Sequence, residues 1–157
     1  MTIASAFKFR GGVLLCADTR FSTGTMRQHG KKILRFRIGD GPTESKIAFA
    51  ISGNVDYARM AADKCVSVLT ALPVGERNKI QAKSKIEEVL LSVYRDHVYP
   101  HPLFRAGTPD FELAIAIWNP SDGLGCFSTH ESTVNEIEVY KCLGAGADLA
   151  EYLIHAH

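Results

Sequence analysis

The hydrophobic pattern at the start of the chain predicts a β-hairpin. Residues 2–10 alternate between two unequal faces, as a strand does when its two sides meet different surroundings. Residues 13–17 form a short continuous apolar run, which is typical of a strand covered on both faces. Gly11 and Gly12 separate these segments, and a glycine pair favours a tight turn.

Two more strands are predicted after a loop. Residues 21–30 are polar and contain glycine, and no hydrophobic period crosses them, so we expect a loop there. Strand patterns return over residues 31–38 and 46–51. In the pattern over residues 31–38, Lys32 lies on the same face as apolar residues, which favours an inward direction for its side chain.

Two helices are predicted in the middle of the chain. Asn54 is a favourable N-cap for the first, and the apolar residues that follow are spaced by three and four, as on one helical face. That face comprises Val55, Ala58, Ala62, Cys65 and Leu69. The apolar face of the second helix comprises Ile86, Leu90, Val93 and His97. Pro100 and Pro102 end this pattern, because proline cannot continue the helical hydrogen bonds.

The last part of the chain returns to strands and ends in a helix. Strand patterns cover residues 111–118, 124–128 and 134–143, and a helix begins near Asp148. The resulting order, β-β-β-β-α-α-β-β-β-α, predicts an α+β fold in which helices cover two antiparallel sheets. A chain of 157 residues is most simply one domain, so we expect a single domain over residues 1–157.

Composition narrows the functional classes. The net charge of +1 favours neither nucleic acid nor an anionic membrane as a partner, and no apolar run is long enough to span a bilayer. The start of the chain lacks the charged, then apolar, then small-residue regions of a signal peptide, so a cytoplasmic location is expected. The histidines lack metal-like spacing, and the cysteines contain no close pair for zinc, so neither metal nor cofactor is expected. The cysteines, which we expect to be buried, reduced thiols, are Cys16, Cys65, Cys126 and Cys142.

The second residue offers nucleophilic chemistry. If Met1 is removed, Thr2 carries a hydroxyl and a free α-amine on one residue. An α-amine has a pKa of about 8, so near neutral pH it can act as the base that activates the hydroxyl.

Several segments then resemble one family. They are residues 2–10 (Thr-Ile-Ala-Ser-Ala-Phe-Lys-Phe-Arg), Gly12-Val13, Ala17-Asp18-Thr19-Arg20, Gly24, Gly30-Lys31-Lys32-Ile33, Ile51-Ser52-Gly53-Asn54 and Leu143-Gly144-Ala145-Gly146-Ala147. In this order and spacing they resemble the proteasome β-type subunits and their simpler bacterial relatives, which are N-terminal-nucleophile (Ntn) hydrolases. The resemblance implies a four-layer α-β-β-α sandwich. Because such subunits continue past the position of His157, it also implies that the C-terminal part is missing.

The resemblance implies a role for each of five residues. Thr2 would be the nucleophile of a threonine peptidase. Lys32 would lower the proton affinity of the Thr2 amine, and Asp18 would keep Lys32 charged and in place. The backbone N–H of Gly53 would stabilise the oxyanion, while Arg20 would support the site without touching the substrate.

A substrate pocket and partners are implied in the same way. The pocket for the residue before the scissile bond would be lined by Phe21, Gly30, Ile51 and Val55. Such an apolar lining favours an apolar side chain by burial. The implied partners are peptide or protein substrates, further copies in a homo-oligomeric ring and, where the assembly uses one, a regulatory ATPase.

Three departures from the family pattern keep two alternatives open. Met1 must leave before the Thr2 amine is free, Ala145 stands where the family usually has serine, and the later residues of the family's network would lie beyond His157. A catalytically inactive structural subunit of such an assembly is therefore one alternative. The other is an Ntn amidase that acts on small amides.

Overall fold

The computed structural model describes residues 2–23, 26–103 and 110–156. In chain order, the elements of these residues are β1 (Ala4–Phe9), β2 (Gly12–Ala17), β3 (Arg20–Thr23), β4 (Met26–His29), β5 (Ile33–Ile38), β6 (Ser45–Gly53), α1 (Val55–Ala71), α2 (Lys79–Val93), β7 (Phe111–Asn119), β8 (Gly123–His130), β9 (Thr133–Glu136), β10 (Tyr140–Leu143) and α3 (Ala147–His155). This order confirms the predicted α+β class. None of the helices in the described ranges combines the length and apolarity needed to cross a bilayer.

The strands form two antiparallel sheets and a separate ribbon. One sheet has the order β5-β6-β7-β8-β9, the other has the order β10-β1-β2, and β3 pairs with β4. The predicted hairpin at the start of the chain is confirmed, because β1 and β2 pair from Ala4 opposite Ala17 to Phe9 opposite Gly12.

The predicted loop over residues 21–30 is wrong for most of its length. Within it, β3 and β4 pair from Arg20 opposite His29 to Thr23 opposite Met26. Residues 24 and 25 lie outside the described part of the chain. Two polar strands can pair through backbone hydrogen bonds without any hydrophobic alternation, so the sequence pattern gave no signal for them.

The single strand predicted over residues 134–143 is also wrong, because the chain changes sheets within it. β9 pairs with β8, whereas β10 pairs with β1. Buried Ile137 lies between the two strands, and its N–H donates to the Cys126 carbonyl at 2.8 Å. The alternation is continuous because both strands bury one face, so it conceals the crossing.

The larger core lies between the five-stranded sheet and the helices α1 and α2. The predicted face of α1 is confirmed, since Ala58, Ala62, Cys65 and Leu69 are buried, with Val55 half-buried at its start. The predicted apolar face of the second helix, by contrast, is confirmed only in part.

Ile86, Leu90 and Val93 of α2 are buried, but His97 is exposed. A π-helical stretch, Tyr94–Val98, continues the helix and changes its residue spacing. Tyr94 and Val98 are the buried residues of this stretch.

The opposite face of the five-stranded sheet packs against the three-stranded sheet through small residues. Ala4 and Ala6 of β1 meet Ala50 of β6 and Ala114 of β7 in this second core. Helix α3 contacts β10 and has no buried residue. The packed layers of the described residues are therefore the helix pair, the five-stranded sheet and the three-stranded sheet.

Candidate active site

Thr2 lies at the start of β1, where the hairpin brings the end of β2 beside it. The Ile3 N–H donates to Asp18 Oδ1 at 3.1 Å, and the Asp18 N–H donates to the Ile3 carbonyl at 3.1 Å. The Thr2 carbonyl accepts a hydrogen bond from the Gly146 N–H at 3.2 Å. Thr2 is therefore held on one side by the hairpin and on the other by the turn before α3.

Lys32 brings a buried cation to the Thr2 hydroxyl. Its Nζ lies 3.4 Å from Thr2 Oγ and 2.8 Å from Asp18 Oδ1, and its side chain is 1% exposed. This burial agrees with the inward direction predicted for Lys32. A buried ammonium is costly without a partner, so Asp18 stabilises the charge that Lys32 carries to the site.

Asp18 accepts three hydrogen bonds. Partial burial acts to raise its pKa, but the bonds from Lys32, the Ile3 N–H and the Arg20 N–H, with the Lys32 charge, outweigh burial and lower the pKa below its usual 3.8. The Arg20 N–H donates to Asp18 Oδ2 at 3.1 Å, whereas Arg20 itself is exposed. Arg20 thus contacts this cluster through its backbone.

Gly53 is fixed by the turn from β6 into α1. Its φ is +79°, and an added Cβ would overlap the Asp110 carbonyl and lie 2.7 Å from Phe111 Cα. Asn54 follows, donates its N–H to the Asp110 carbonyl at 2.8 Å and caps α1 through its side chain. The Tyr94 hydroxyl, hydrogen-bonded to the Asp110 carboxylate, holds the opposing segment in place. Only glycine fits this backbone without strain.

Three residues for which the sequence predicts no role at the site form the surroundings of the turn that holds the Thr2 carbonyl. Gly144 has a φ of +89°, and a Cβ there would overlap the Ser52 hydroxyl and lie 2.6 Å from the Thr2 carbonyl oxygen. Glu112 Oε2 accepts a hydrogen bond from the Gly144 N–H at 2.8 Å. The Ser52 hydroxyl is buried without a hydrogen-bond partner among the described residues. One signal was available in the sequence, because Glu112 interrupts an otherwise apolar strand.

The four residues of the predicted pocket have different surroundings. Ile51 is 1% exposed and belongs to the core beneath α1, while Val55 is half-buried at the start of that helix. The Gly30 N–H donates to the Thr19 carbonyl at 2.9 Å. The Phe21 side chain lies outside the described part of the structure. Of the three described residues, Gly30 and Val55 keep part of their surface open.

A cavity opens beside the ion pair. It has a volume of about 510 Å³, and Asp18, Lys32 and Arg35 are among its lining residues. Across residues 2–23, 26–103 and 110–156, no cluster of three or more His, Cys, Asp or Glu side chains is placed to hold a metal ion.

Comparison with known proteins shows a likeness of fold. No protein-family model matches the chain, and no curated protein matches it either. Among solved structures, the chain is similar to a Gly-1 mutant of Anbu from Hyphomicrobium sp. strain MC1, with a TM-score of 0.67 and 16% identity. It is also similar to Anbu, described as an ancestral β-subunit, from Yersinia bercovieri, with a TM-score of 0.64 and 16% identity. Each match covers 92% of this chain and 61% of the other.

These findings correct the family assignment made from the sequence. The assignment to the proteasome β-type subunits and their bacterial relatives is wrong, because no family model recognises the chain and its identity to the structural neighbours is 16%. What the comparison shows is an α+β fold shared with Anbu over most of this chain and 61% of the Anbu chains.

Proposed function

We propose that Thr2, after removal of Met1, is the nucleophile of a threonine-type peptidase. One observation carries the proposal: a buried ammonium lies 3.4 Å from the Thr2 hydroxyl and is held there by a carboxylate at 2.8 Å. A cation in this position favours the alkoxide character that the hydroxyl acquires as it attacks.

The proposed reaction begins with the two groups of Thr2 itself. The α-amine takes the Oγ proton while Oγ forms a bond to the carbonyl carbon of the peptide. The Gly53 N–H donates to the oxyanion of the resulting tetrahedral intermediate. The C–N bond then breaks, and the α-ammonium returns its proton to the leaving amine. Water, deprotonated by the same amine, hydrolyses the acyl ester and regenerates Thr2.

Lys32 and Asp18 remain unchanged through the proposed cycle. The Lys32 charge lowers the proton affinity of the Thr2 amine and stabilises negative charge on Oγ. Asp18 holds Lys32 in place and, because the pKa of its carboxyl lies below the usual value, stays ionised at neutral pH. Arg20 supports Asp18 through the backbone N–H.

The proposal includes assembly. We take the chain as a subunit of a homo-oligomeric ring that encloses its sites and cleaves peptides with an apolar residue before the scissile bond. Its fold likeness to Anbu, described as an ancestral β-subunit, supports this. In the same proposal, residues 1–157 belong to one domain, and α3 begins the fourth layer of an α-β-β-α sandwich.

The first experiment tests the nucleophile. Intact-mass measurement reports whether Met1 is absent, and an electrophile that captures Thr together with its amine should then label the protein at Thr2. Turnover of apolar fluorogenic peptides should fall by at least about 1,000-fold in Thr2→Ala and survive in part in Thr2→Ser. Retention of Met1, or equal labelling of Thr2→Ala, refutes the proposal. Assembly without turnover in the Met1-free protein would favour an inactive structural subunit, and cleavage of small amides alone would favour an amidase.

The second experiment tests the cation with a neighbouring control. Lys32→Ala removes the buried ammonium, whereas Lys31→Ala removes an exposed one from the preceding position. We expect kcat to fall by about 100-fold or more in Lys32→Ala and to stay within about 2-fold in Lys31→Ala. Equal rates in the two variants would show that the Lys32 charge does not act on Thr2.

A further inference from the structure

Glu112 is a carboxylate inside an apolar strand. It is half-buried between Phe111 and Leu113, which are 1% and 0% exposed. A polar side chain at such a position needs a hydrogen-bond partner. The strand gains no hydrophobic burial from this residue, and its position therefore calls for an explanation.

The Glu112 carboxylate is directed at the turn before α3. Its Oε2 accepts the Gly144 N–H at 2.8 Å, and hydrogen bonds to an ionised acceptor are roughly twice as strong as neutral ones. Ser52 lies opposite Glu112 in the register of β6 and β7, and its hydroxyl contacts Gly144. This cross-strand pair supports the turn from the five-stranded sheet.

The same turn holds the backbone of Thr2. The Gly146 N–H donates to the Thr2 carbonyl at 3.2 Å, and the Ala147 N–H closes the turn on the Gly144 carbonyl at 2.9 Å. The absence of a Cβ at Gly144 lets the turn approach the Thr2 carbonyl. A shift of residues 144–146 would therefore shift Thr2 as well.

We infer that Glu112 is a positioning residue for Thr2, acting through residues 144–146. The inference rests on the proposed function and names a residue that sets where the nucleophile lies relative to Lys32. Lys32 directly precedes β5 of the five-stranded sheet, and Thr2 lies just before β1 of the three-stranded sheet. Glu112 of β7 joins the five-stranded sheet to the turn after β10 by its hydrogen bond with the Gly144 N–H. Reaction rates are sensitive to displacements of about 1 Å, so loss of this bond should lower kcat.

The test uses two variants and a matched control. Glu112→Ala removes the acceptor, and Glu112→Gln keeps an oxygen that can accept the Gly144 N–H. The control is Glu151→Ala. Glu151 Oε1 also accepts a backbone N–H, that of Cys142 in β10 at 3.3 Å, and it pairs with Lys141. The control therefore removes an α3 carboxylate that bonds to β10, and it leaves the hydrogen bonds of residues 144–146 in place.

The first measurement is amide hydrogen exchange at Gly146 in the full chain. Glu112→Ala should lower the protection of this N–H by about 10-fold or more, and Glu151→Ala should change it by less than about 2-fold. Equal protection in Glu112→Ala and the unmodified protein overturns the inference, as does an equal loss in the control. This measurement does not depend on catalysis.

The second measurement is peptide turnover. In Glu112→Ala we expect kcat to fall about 10- to 100-fold with KM unchanged, and Glu112→Gln should recover most of the rate. A higher KM at constant kcat, or no recovery in Glu112→Gln, overturns the positioning role. If the unmodified protein neither turns over peptides nor is labelled at Thr2, the proposed function fails, and the exchange at Gly146 still decides whether Glu112 positions Thr2.

Discussion

Gly53→Ala should destabilise the protein by an amount that can be divided into two causes. The φ of +79° costs a residue with a Cβ about 1–2 kcal/mol. The Cβ would also overlap the Asp110 carbonyl and press on Phe111 Cα at 2.7 Å, and crowding of this kind costs about 1–3 kcal/mol. The free energy of unfolding should therefore fall by about 2–5 kcal/mol.

Two other glycines separate these causes. Gly41 has a φ of +61° but open space where a Cβ would lie, so Gly41→Ala should show only the backbone cost of about 1–2 kcal/mol. Gly75 has open space and no positive φ, so Gly75→Ala should be neutral or stabilising by up to about 1 kcal/mol. Each variant is measured by equilibrium urea unfolding. With a slope of about 2 kcal/mol/M, the midpoint of Gly53→Ala should lie about 1–2.5 M below that of the unmodified protein.

The difference in stability between Gly53→Ala and Gly41→Ala shows whether crowding at Gly53 adds to the backbone cost. Equal losses of stability in the two variants would refute the reasoning, because they would mean that the Asp110 carbonyl moves aside without cost. The turn from β6 into α1 would then not require glycine for its packing, and the position of the Gly53 N–H would be set by other contacts.

Three further predictions concern the helix cap, the ion pair and the thiols. Asn54→Ala removes the acceptor of the Asp56 and Tyr57 N–H groups at the start of α1 and should cost about 1 kcal/mol, seen by calorimetry as a Tm lower by about 2–4 °C. Because folding lowers the pKa of Asp18, the stability that its carboxylate contributes should be complete above about pH 5 and be lost as the pH falls through the folded pKa. In urea titrations, the free energy of unfolding should fall less on acidification in Asp18→Asn than in the unmodified protein. An equal fall in the two proteins would contradict this prediction. Cys16 is exposed and should react quickly with a thiol reagent in the native protein, whereas burial raises the pKa of Cys65 to about 12, so its reaction should require unfolding.

The sequence predicted those parts of the fold in which burial leaves a periodic trace. The pairing of β1 with β2 follows from the glycine turn between two strand-like segments, and the buried face of α1 follows from the spacing of its apolar residues. The expectation that β2 is covered on both faces is wrong, because Leu14 and Cys16 are exposed. β3 and β4 leave no such trace, because polar residues pair there through the backbone. The predicted apolar face of α2 fails at His97 because a π-helical stretch changes the residue spacing, and a local pattern cannot show that change.

The site was predictable in part. The inward direction of Lys32 follows from the face it shares with its apolar neighbours, and its proximity to Asp18 and Thr2 came only from resemblance to a family that the chain does not match. Glu112 interrupts the apolar residues of the predicted strand over 111–118, and a carboxylate at that position indicates a hydrogen-bond acceptor. Its partner, the Gly144 N–H, is separated from it by 32 positions and comes near only when the two sheets pack together. A long-range contact of this kind is not encoded in local periodicity.

The alanines between the two sheets act as a spacer for the site. Thr2 and Asp18 extend from strands of one sheet, and Lys32 and Gly53 from strands of the other. The separation of these pairs is therefore set by the methyl groups of Ala4, Ala6, Ala50 and Ala114, which are all 0% exposed. A single larger side chain in this layer would force the sheets apart and lengthen the 3.4 Å contact between the Lys32 ammonium and the Thr2 hydroxyl. These four methyl groups thus set the distance at which the Thr2 hydroxyl and the Lys32 ammonium meet.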